Sequence, residues 1–142
     1  QRYTESQITG FFENTAGAVY TLSVADKFGD NGLTGVCILE QDKSNASAIV
    51  IDSLLMSCRV IGRNIEKVFL NFILQQIKTQ GYQKVYAVYE PTKKNEQVES
   101  FYDKIGFTFQ DGENGKKNYV LLLQEFTPEK IDYIKIVNQT VN

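Results

Sequence analysis

The stretch "SCRVIGRNIEKVF" (57–69) joins a strand pattern to a helix pattern. An apolar run from Ile49 to Met56 precedes it, and from Asn64 onwards apolar residues recur at helical spacing. A turn at the start of a helix exposes several unpaired backbone N–H groups and the positive end of the helix dipole. Gly62 would let an anion come close to that backbone, so the stretch predicts a binding turn for a phosphate or pyrophosphate.

The side chains of the same turn leave two interpretations open. Arg59 and Arg63 are able to donate charge-assisted hydrogen bonds to an anion. An ordinary strand-to-helix turn with solvated arginines explains the same residues, because short glycine motifs also match by chance. The predicted cofactor-binding residues of this turn are Ser57, Arg59, Val60, Ile61, Gly62, Arg63 and Asn64.

The composition is that of a globular domain. The 142 residues are 42% hydrophobic and 12% aromatic, and their net charge is −2 with a pI near 5.2. This length suits one domain with a core of its own. A general nucleic-acid binder would show a basic stripe or a high pI, so no nucleic-acid partner is expected. No apolar stretch approaches the length needed to cross a bilayer, so no membrane partner is expected either.

The histidine and cysteine counts limit the possible chemistry. The chain has no histidine, which excludes a Ser-His-Asp or Cys-His system and a histidine metal site within it. Cys37 and Cys58 do not make a disulfide framework, and each lies in or beside an apolar run. Cys37 is predicted to be a core residue. Buried thiols fit a reducing cytosol, so a cytoplasmic protein without a metal is expected.

Local patterns divide the chain into strands and helices. A capping-box pattern, "TESQ" (4–7), predicts a first helix to about Glu13, and apolar residues after Pro128 predict a terminal helix. The residues of "FGDNG" (28–32) are suited to a hairpin turn. This order indicates one α/β domain with a mixed, mostly antiparallel sheet flanked by helices. The other predicted elements are strands at 18–26, 33–41, 48–57, 84–90, 107–110 and 118–126, a helix from Asn64 that ends at Gly81, and a helix at 95–106.

A second motif lies in "NEQVESFYDKIGF" (95–107). Taken alone, Phe101 is a core residue, and Tyr102 is either a core or a surface residue. Together with the glycine turn earlier in the chain, the motif resembles the GNAT superfamily of N-acetyltransferases. The resemblance implies a single domain with the GNAT acyltransferase fold over residues 1–142. It also implies that the glycine turn holds the pyrophosphate of acyl-coenzyme A, that Asn95 contacts the pantetheine arm, and that Tyr102 protonates the departing thiolate.

A further likeness is to the C-terminal region of FkbH-like proteins. Such proteins are associated with loading a glyceryl unit onto the phosphopantetheine arm of an acyl carrier protein in natural-product biosynthesis. The likeness implies a haloacid-dehalogenase-type phosphatase domain ahead of this one in the same polypeptide, and a start at Gln1 fits a piece of such a protein. The matching phrases are "RYTE" (2–5), "DKFGDNGLTGV" (26–36), "DSLLMSCRVIGRNIE" (52–66) and "YEPTKKN" (89–95), and the likeness covers most of the chain from Arg2 to about Leu123.

The chain departs from both families at one position and leaves the catalytic base open. Asn64 stands where these proteins usually have glycine or alanine, and its side chain would either crowd the pyrophosphate or donate a hydrogen bond to it. With no histidine, the base is sought among Glu40, Asp52 and Glu90, because a carboxylate in an apolar cleft can have a raised pKa.

Cys58 also has two interpretations. A thiolate beside Arg59 and a helix N-terminus would have a lowered pKa and could accept an acyl group. The alternative is that Cys58 packs as a small apolar residue.

Two functions from different classes follow. The first is an acyltransferase that uses a pantetheine thioester, on acetyl-CoA, another acyl-CoA or an acyl carrier protein, with Tyr102 as general acid. The second is a catalytically silent GNAT-like module that binds a carrier protein or supports the phosphatase domain. The identity of the acceptor is not indicated by the sequence.

Overall fold

In the computed structural model, residues 8–15, 18–26, 29–57, 64–91, 99–131 and 134–141 are described. These residues form eight strands and two α-helices, with a short 3-10 helix at Leu123–Glu125. The strands are β1 (Ile8–Thr15), β2 (Val19–Asp26), β3 (Gly29–Gln41), β4 (Ala48–Met56), β5 (Lys84–Tyr89), β6 (Thr108–Glu113), β7 (Lys116–Leu122) and β8 (Ile134–Val141). The α-helices are α1 (Ile65–Thr79) and α2 (Phe101–Ile105).

The eight described strands form one sheet in the order β6-β7-β5-β4-β3-β2-β1-β8. Five of the neighbouring pairs are antiparallel. The other two, β4 with β5 and β1 with β8, are parallel. A parallel pair needs a crossover connection, and α1 provides it between β4 and β5. The mixed, mostly antiparallel sheet expected from the sequence is confirmed.

Helix α1 packs on one face of the sheet, which we call the helix face. Apolar residues at helical spacing, such as Phe69 and Ile73, are fully buried on it. Gly35 permits the close approach, because a Cβ there would lie 3.2 Å from the Phe69 ring and 2.9 Å from the Met56 sulfur. The buried sheet residues of this face include Tyr20, Leu22, Cys37, Leu39, Ile49, Ile51, Leu54, Val85, Ala87, Tyr89, Tyr119 and Leu121.

The end of α1 is set by a glycine, as the sequence predicts. Gly81 has a φ of 97°, a left-handed conformation in which glycine carries no Cβ penalty. Its N–H donates to the Lys78 carbonyl, and the Tyr82 N–H donates to the Ile77 carbonyl. This hydrogen-bond pattern is the Schellman motif, which closes the helix and turns the chain into β5.

The two terminal helices predicted from the sequence are wrong. The region of the first predicted helix contains β1, and the region of the last contains β8. The two strands pair with each other in parallel from Ile8 and Ile134 onwards. Pairing between strands at the two ends of the chain therefore outweighs the local capping-box pattern at "TESQ". The β-branched residues near the C-terminus, which favour strands, form part of β8.

The predicted hairpin turn at 28–32 is misplaced. Asp26 of β2 already pairs with Gly29 of β3, so the connection lies at residues 27–28, outside the described residues. Gly32, with a φ of 67°, falls inside β3, where the register with β2 shifts. The turn-like residues therefore form a bulge within a strand rather than a hairpin turn.

Candidate functional site

The sheet splits between β4 and β5. The two strands pair only over the first four residues of each, ending with Ile51 opposite Ala87. Beyond this point β4 stays paired with β3 as far as Met56, and β5 stays paired with β7 as far as Tyr89. The strands therefore diverge toward their C-terminal ends. In a parallel pair with a crossover helix, a cleft at this end is where ligands bind in open α/β sheets.

A bulge in β4 coincides with the split. Ile38 of β3 pairs with Ser53, whereas its neighbour Leu39 pairs with Ile51, so Asp52 is an extra residue in β4. Such bulges bend a strand, and they are over-represented next to active sites. The Asp52 side chain is exposed and accepts a hydrogen bond from the Ser53 hydroxyl at 3.1 Å. The bend at Asp52 thus gives a physical reason for the divergence.

The N-terminus of α1 lies at the open end of the same split. Ser57 follows β4, and its N–H donates to the Thr34 carbonyl at 2.8 Å, which fixes the end of the strand. Helix α1 begins at Ile65 and runs for 15 residues, so its positive dipole end is at this side of the sheet. The predicted residues Cys58, Arg59, Val60, Ile61, Gly62 and Arg63 lie outside the described residues, as does Asn95.

Asn64 precedes α1 in a left-handed conformation, with a φ of 66°. Its carbonyl accepts the Val68 N–H at 3.1 Å, which begins the helical hydrogen-bond pattern. Among non-glycine residues, asparagine is one of the few that adopts this conformation readily. The family resemblance predicts glycine or alanine at position 64, and Asn64 departs from this. Its backbone nevertheless has the left-handed conformation that glycine adopts most easily.

We expect an Asn64→Ala variant to unfold at a lower temperature than an Asn64→Gly variant. Alanine in a left-handed conformation costs about 1 kcal/mol relative to glycine, and both substitutions remove the same side-chain contacts. For a domain of this size the difference in Tm is about 2–4 °C. Equal Tm values in calorimetry would show that the left-handed conformation is not maintained in solution.

Tyr102 lies on α2 and is buried on the helix face side of the sheet. It is 4% exposed, and its ring centroid lies 5.2 Å from that of Phe107 and 5.5 Å from that of Tyr119. The Tyr119 hydroxyl donates to Asp103 at 2.9 Å, which ties α2 to β7. Tyr119 itself pairs with Ala87, the last residue of β5 that still pairs with β4.

Burial and neighbouring ionisable groups determine the protonation state of the Tyr102 hydroxyl. Burial is the largest cause that raises the pKa of Tyr102, and repulsion from Cys37 and from Tyr119 in their ionised forms raises it further. Cys37 is on β3 and Tyr119 is on β7, so the two groups lie on opposite sides of the split. The hydroxyl is therefore protonated at neutral pH.

The three carboxylates considered as a base lie in different places. Glu40 pairs with Val50, where β4 and β5 are still joined, so it is on the closed side of the split. Asp52 is at the apex of the split. Glu90 follows β5 at the open end, where its carboxylate lies 3.6 Å from the Lys116 amine. Asp52 and Glu90 are thus the carboxylates that the fold brings toward the cleft, and both are exposed.

Cys37 is fully buried, which confirms the prediction that it is a core residue. Burial raises the pKa of its thiol from 9.0 to about 12. The folded chain thus retains a proton that the unfolded chain releases, and stability is complete below pH 9 and lost as the pH rises toward 12.

We expect the free energy of unfolding to fall above pH 9, with a slope that approaches about 1.4 kcal/mol per pH unit. Urea unfolding at pH 8, 9 and 10 measures this slope. In a Cys37→Ala variant the stability at pH 8 should be lower, but the slope between pH 9 and 10 should be smaller. Equal slopes in the two proteins would mean that the thiol does not cause the loss.

The described part of the chain contains neither a cluster of metal-binding side chains nor a membrane-spanning helix. No group of three or more His, Cys, Asp or Glu side chains lies close enough to hold a metal ion there. None of the described helices has the length and apolar character needed to cross a membrane.

Several solved structures share this fold at low sequence identity. A candidate acetyltransferase of the GNAT family from Desulfovibrio desulfuricans aligns with a TM-score of 0.60 and 11% identity over 76% of this chain and 71% of that one. An acetyltransferase of the GNAT family from Staphylococcus aureus aligns with a TM-score of 0.56 and 13% identity over 74% and 68%. The PaiA N-acetyltransferase from Thermoplasma acidophilum, solved in complex with coenzyme A, aligns with a TM-score of 0.57 and 20% identity over 74% and 61%.

These likenesses show that the chain has the GNAT acyltransferase fold. No protein-family model matches the chain, and no curated protein matches its sequence. The aligned region spans only 61% of the Thermoplasma protein and 71% of the Desulfovibrio protein. At identities this low the comparison establishes the fold but does not identify the substrate.

The bulge and the split are the parts of the site that the sequence reasoning missed. A signal for the bulge is present in "AIVIDSLLM" (48–56), where buried residues change phase. Ile49 and Ile51 are two residues apart, whereas the next residue on the same face is Leu54, three residues further on. An odd interval in a strand pattern indicates an inserted residue.

Proposed function

We propose that this domain is an acyltransferase whose acyl donor is a pantetheine thioester, carried by coenzyme A or by an acyl carrier protein. The observation that carries the proposal is the split between β4 and β5, with the N-terminus of α1 at its open end. Tyr102, buried against Phe107 and Tyr119 on the helix face, is proposed to protonate the leaving group.

The residues at the split fit a pantetheine arm. Past Ile51 and Ala87, β4 and β5 no longer pair with each other, and an extended chain bearing amide groups can lie between them like an added strand. The positive end of α1 is at the mouth of the same cleft and suits the phosphates of the donor. Arg59, Gly62 and Arg63 are proposed to bind those phosphates, with Asn95 along the arm.

The bound thioester supplies an acyl group and a thiolate leaving group. The lone pair of the acceptor attacks the carbonyl carbon, the C–S bond breaks, and the Tyr102 hydroxyl gives its proton to the departing sulfur. The proton that the acceptor loses passes through water, with Asp52 or Glu90 as the carboxylates at the cleft, and restores the tyrosine.

The wider context is proposed from the sequence likeness alone. We infer that the domain is the C-terminal part of an FkbH-like protein, with a phosphatase-type domain ahead of it and a cytoplasmic location. In that setting the donor or acceptor is a phosphopantetheinylated carrier protein in a natural-product pathway. The phrases "DKFGDNGLTGV" (26–36) and "YEPTKKN" (89–95) support this inference.

Calorimetric titration tests the proposed donor. Acetyl-CoA is titrated into the domain first, and a phosphopantetheinylated carrier protein second. We expect micromolar binding of acetyl-CoA that is lost in Gly62→Val and weakened in Arg63→Gln. Lys84→Gln is the matched control, because Lys84 begins β5 at the closed side of the split.

Each result of the titration has a definite meaning. Carrier-protein binding without acetyl-CoA binding would restrict the donor to the carrier protein. Binding of either ligand without any acyl transfer would favour the silent docking module. No binding of either ligand would overturn the proposed function.

A further inference from the structure

The split in the sheet opens on both faces of the sheet, and we call these openings its two mouths. The mouth on the helix face lies beside the N-terminus of α1. The opposite face, which we call the open face, is covered by no helix among the described residues. Its residues on the central strands are half-buried, unlike the fully buried residues of the helix face. They include Val19, Thr21, Val36, Ile38, Val50, Tyr86 and Val120.

Two exposed apolar residues flank the split on the open face. Leu55 of β4 is 53% exposed, and it follows Leu54, which is buried on the helix face. Val88 of β5 is 37% exposed, and it follows Ala87, which is also buried on the helix face. Because side chains alternate along a strand, both Leu55 and Val88 point to the open face. Each lies beyond the last pair between β4 and β5.

The side chains along the split on the open face are apolar or uncharged between two exposed carboxylates, Asp52 at the apex and Glu90 after the end of β5. Beyond the bulge, β4 presents Ser53 and Leu55 there, and β5 presents Tyr86 and Val88 ahead of its end. Val36 lies opposite Leu55 and is half-buried. Of the four exposed large apolar side chains in the described part of the chain, Leu55 and Val88 are the two that flank the split.

The direction of approach indicates which ligand contacts Leu55 and Val88. In the proposed function the donor phosphates bind at the N-terminus of α1, so the donor would enter from the helix-face mouth. A nucleophile must reach the carbonyl carbon from a direction that the donor does not fill, and the open-face mouth remains. The acceptor therefore passes between Leu55 and Val88.

We propose that the acceptor is a small molecule with a hydrocarbon group next to its nucleophilic atom, and that Leu55 and Val88 determine this specificity. The proposal rests on the proposed acyl transfer. The hydrocarbon packs on the two side chains while the nucleophile, an amine in the test below, attacks the carbonyl carbon. A C–N bond forms, the C–S bond breaks, Tyr102 protonates the sulfur, and the proton lost from nitrogen passes through water and restores Tyr102.

A series of linear primary amines tests the proposal. Ethylamine, butylamine and hexylamine are compared with ethanolamine as a polar control, using the donor that binds in calorimetry, acetyl-CoA or acetyl carrier protein. Transfer is followed by mass spectrometry of the N-acetyl product. We expect kcat/KM to rise about fourfold per methylene, the factor that corresponds to the transfer of one CH₂ group from water.

The variants assign the effect to the two residues. In Leu55→Ser and Val88→Ser the dependence of kcat/KM on chain length should weaken. In Leu55→Met, which keeps an apolar side chain, the dependence should remain. Leu33→Ser is the control, because Leu33 is 58% exposed but pairs with Ser23 of β2 rather than with β4. Donor affinity, measured by calorimetry, should be the same in all four variants.

Failure of this inference differs from failure of the proposed function. Donor binding with transfer that ignores chain length, or that favours ethanolamine, overturns the inference alone. The same holds for a chain-length dependence that survives in both serine variants, and for donor binding without transfer to any amine. Absence of binding by either donor overturns the proposed function and the inference with it.

Discussion

Replacing Tyr102 with phenylalanine is expected to lower kcat by about 10²–10⁴-fold, the range that a positioned general acid contributes. The affinity for acetyl-CoA should change little. Only the hydroxyl is lost, and the ring keeps its contacts with Phe107 and Tyr119. A change confined to kcat is the signature of an interaction that is made in the transition state.

The pH profile gives a second test of the same role. Because burial raises the pKa of Tyr102, its hydroxyl should remain protonated up to pH 10 and beyond. The wild-type kcat should therefore not decline near pH 10, as it would if Tyr102 had an ordinary pKa. An alkaline decline at that pH, if it disappears in Tyr102→Phe, would contradict the burial of the hydroxyl.

Tyr82→Phe is the matched control for this experiment. Tyr82 is a half-buried tyrosine between α1 and β5, at the closed side of the split, and removing its hydroxyl should leave kcat unchanged. Equal turnover of Tyr102→Phe and wild type would remove the general acid from the mechanism. It would leave Tyr102 as a core residue, which is the alternative that the sequence left open.

The fold could be predicted from the sequence where local and long-range signals agree. The run from Ile49 to Met56, followed by helical spacing from Ile65, identifies the β4–α1 unit. The end of α1 was also predictable, because Gly81 supplies a left-handed conformation that other residues adopt only with strain.

The sequence fails where tertiary pairing outweighs a local signal. β1 lies between β2 and β8, and its hydrogen bonds to both strands replace those that a first helix would form. For the site, the sequence predicted Tyr102 and the glycine turn, and of these the described residues include Tyr102, Ser57 and Asn64. The split was not, because the registers of Ile51 with Ala87 and of Ser53 with Ile38 are relations between strands distant in the chain.

Replacing Phe69 with alanine is expected to cost about 3–5 kcal/mol of folding free energy, the range for a buried phenylalanine. Phe69 is fully buried, and its ring packs on the backbone of Gly35, where β3 faces Met56 of β4. No larger side chain at Gly35 can fill the cavity without approaching Met56. The loss is a large share of the 5–15 kcal/mol that typically stabilises a domain.

The measurement is the free energy of unfolding in urea at pH 7, with Phe109→Ala as control. Phe109 is 50% exposed on the edge strand β6, so its truncation should cost about 1 kcal/mol, mainly from its ring contact with Tyr119. Phe69 also holds the first turns of α1 against β3, the neighbour of β4 in the sheet. We therefore expect Phe69→Ala, at a temperature where it is still folded, to bind the acyl donor more weakly than Phe109→Ala does. A similar loss of stability in both variants would mean that α1 does not pack on Gly35 through the Phe69 ring.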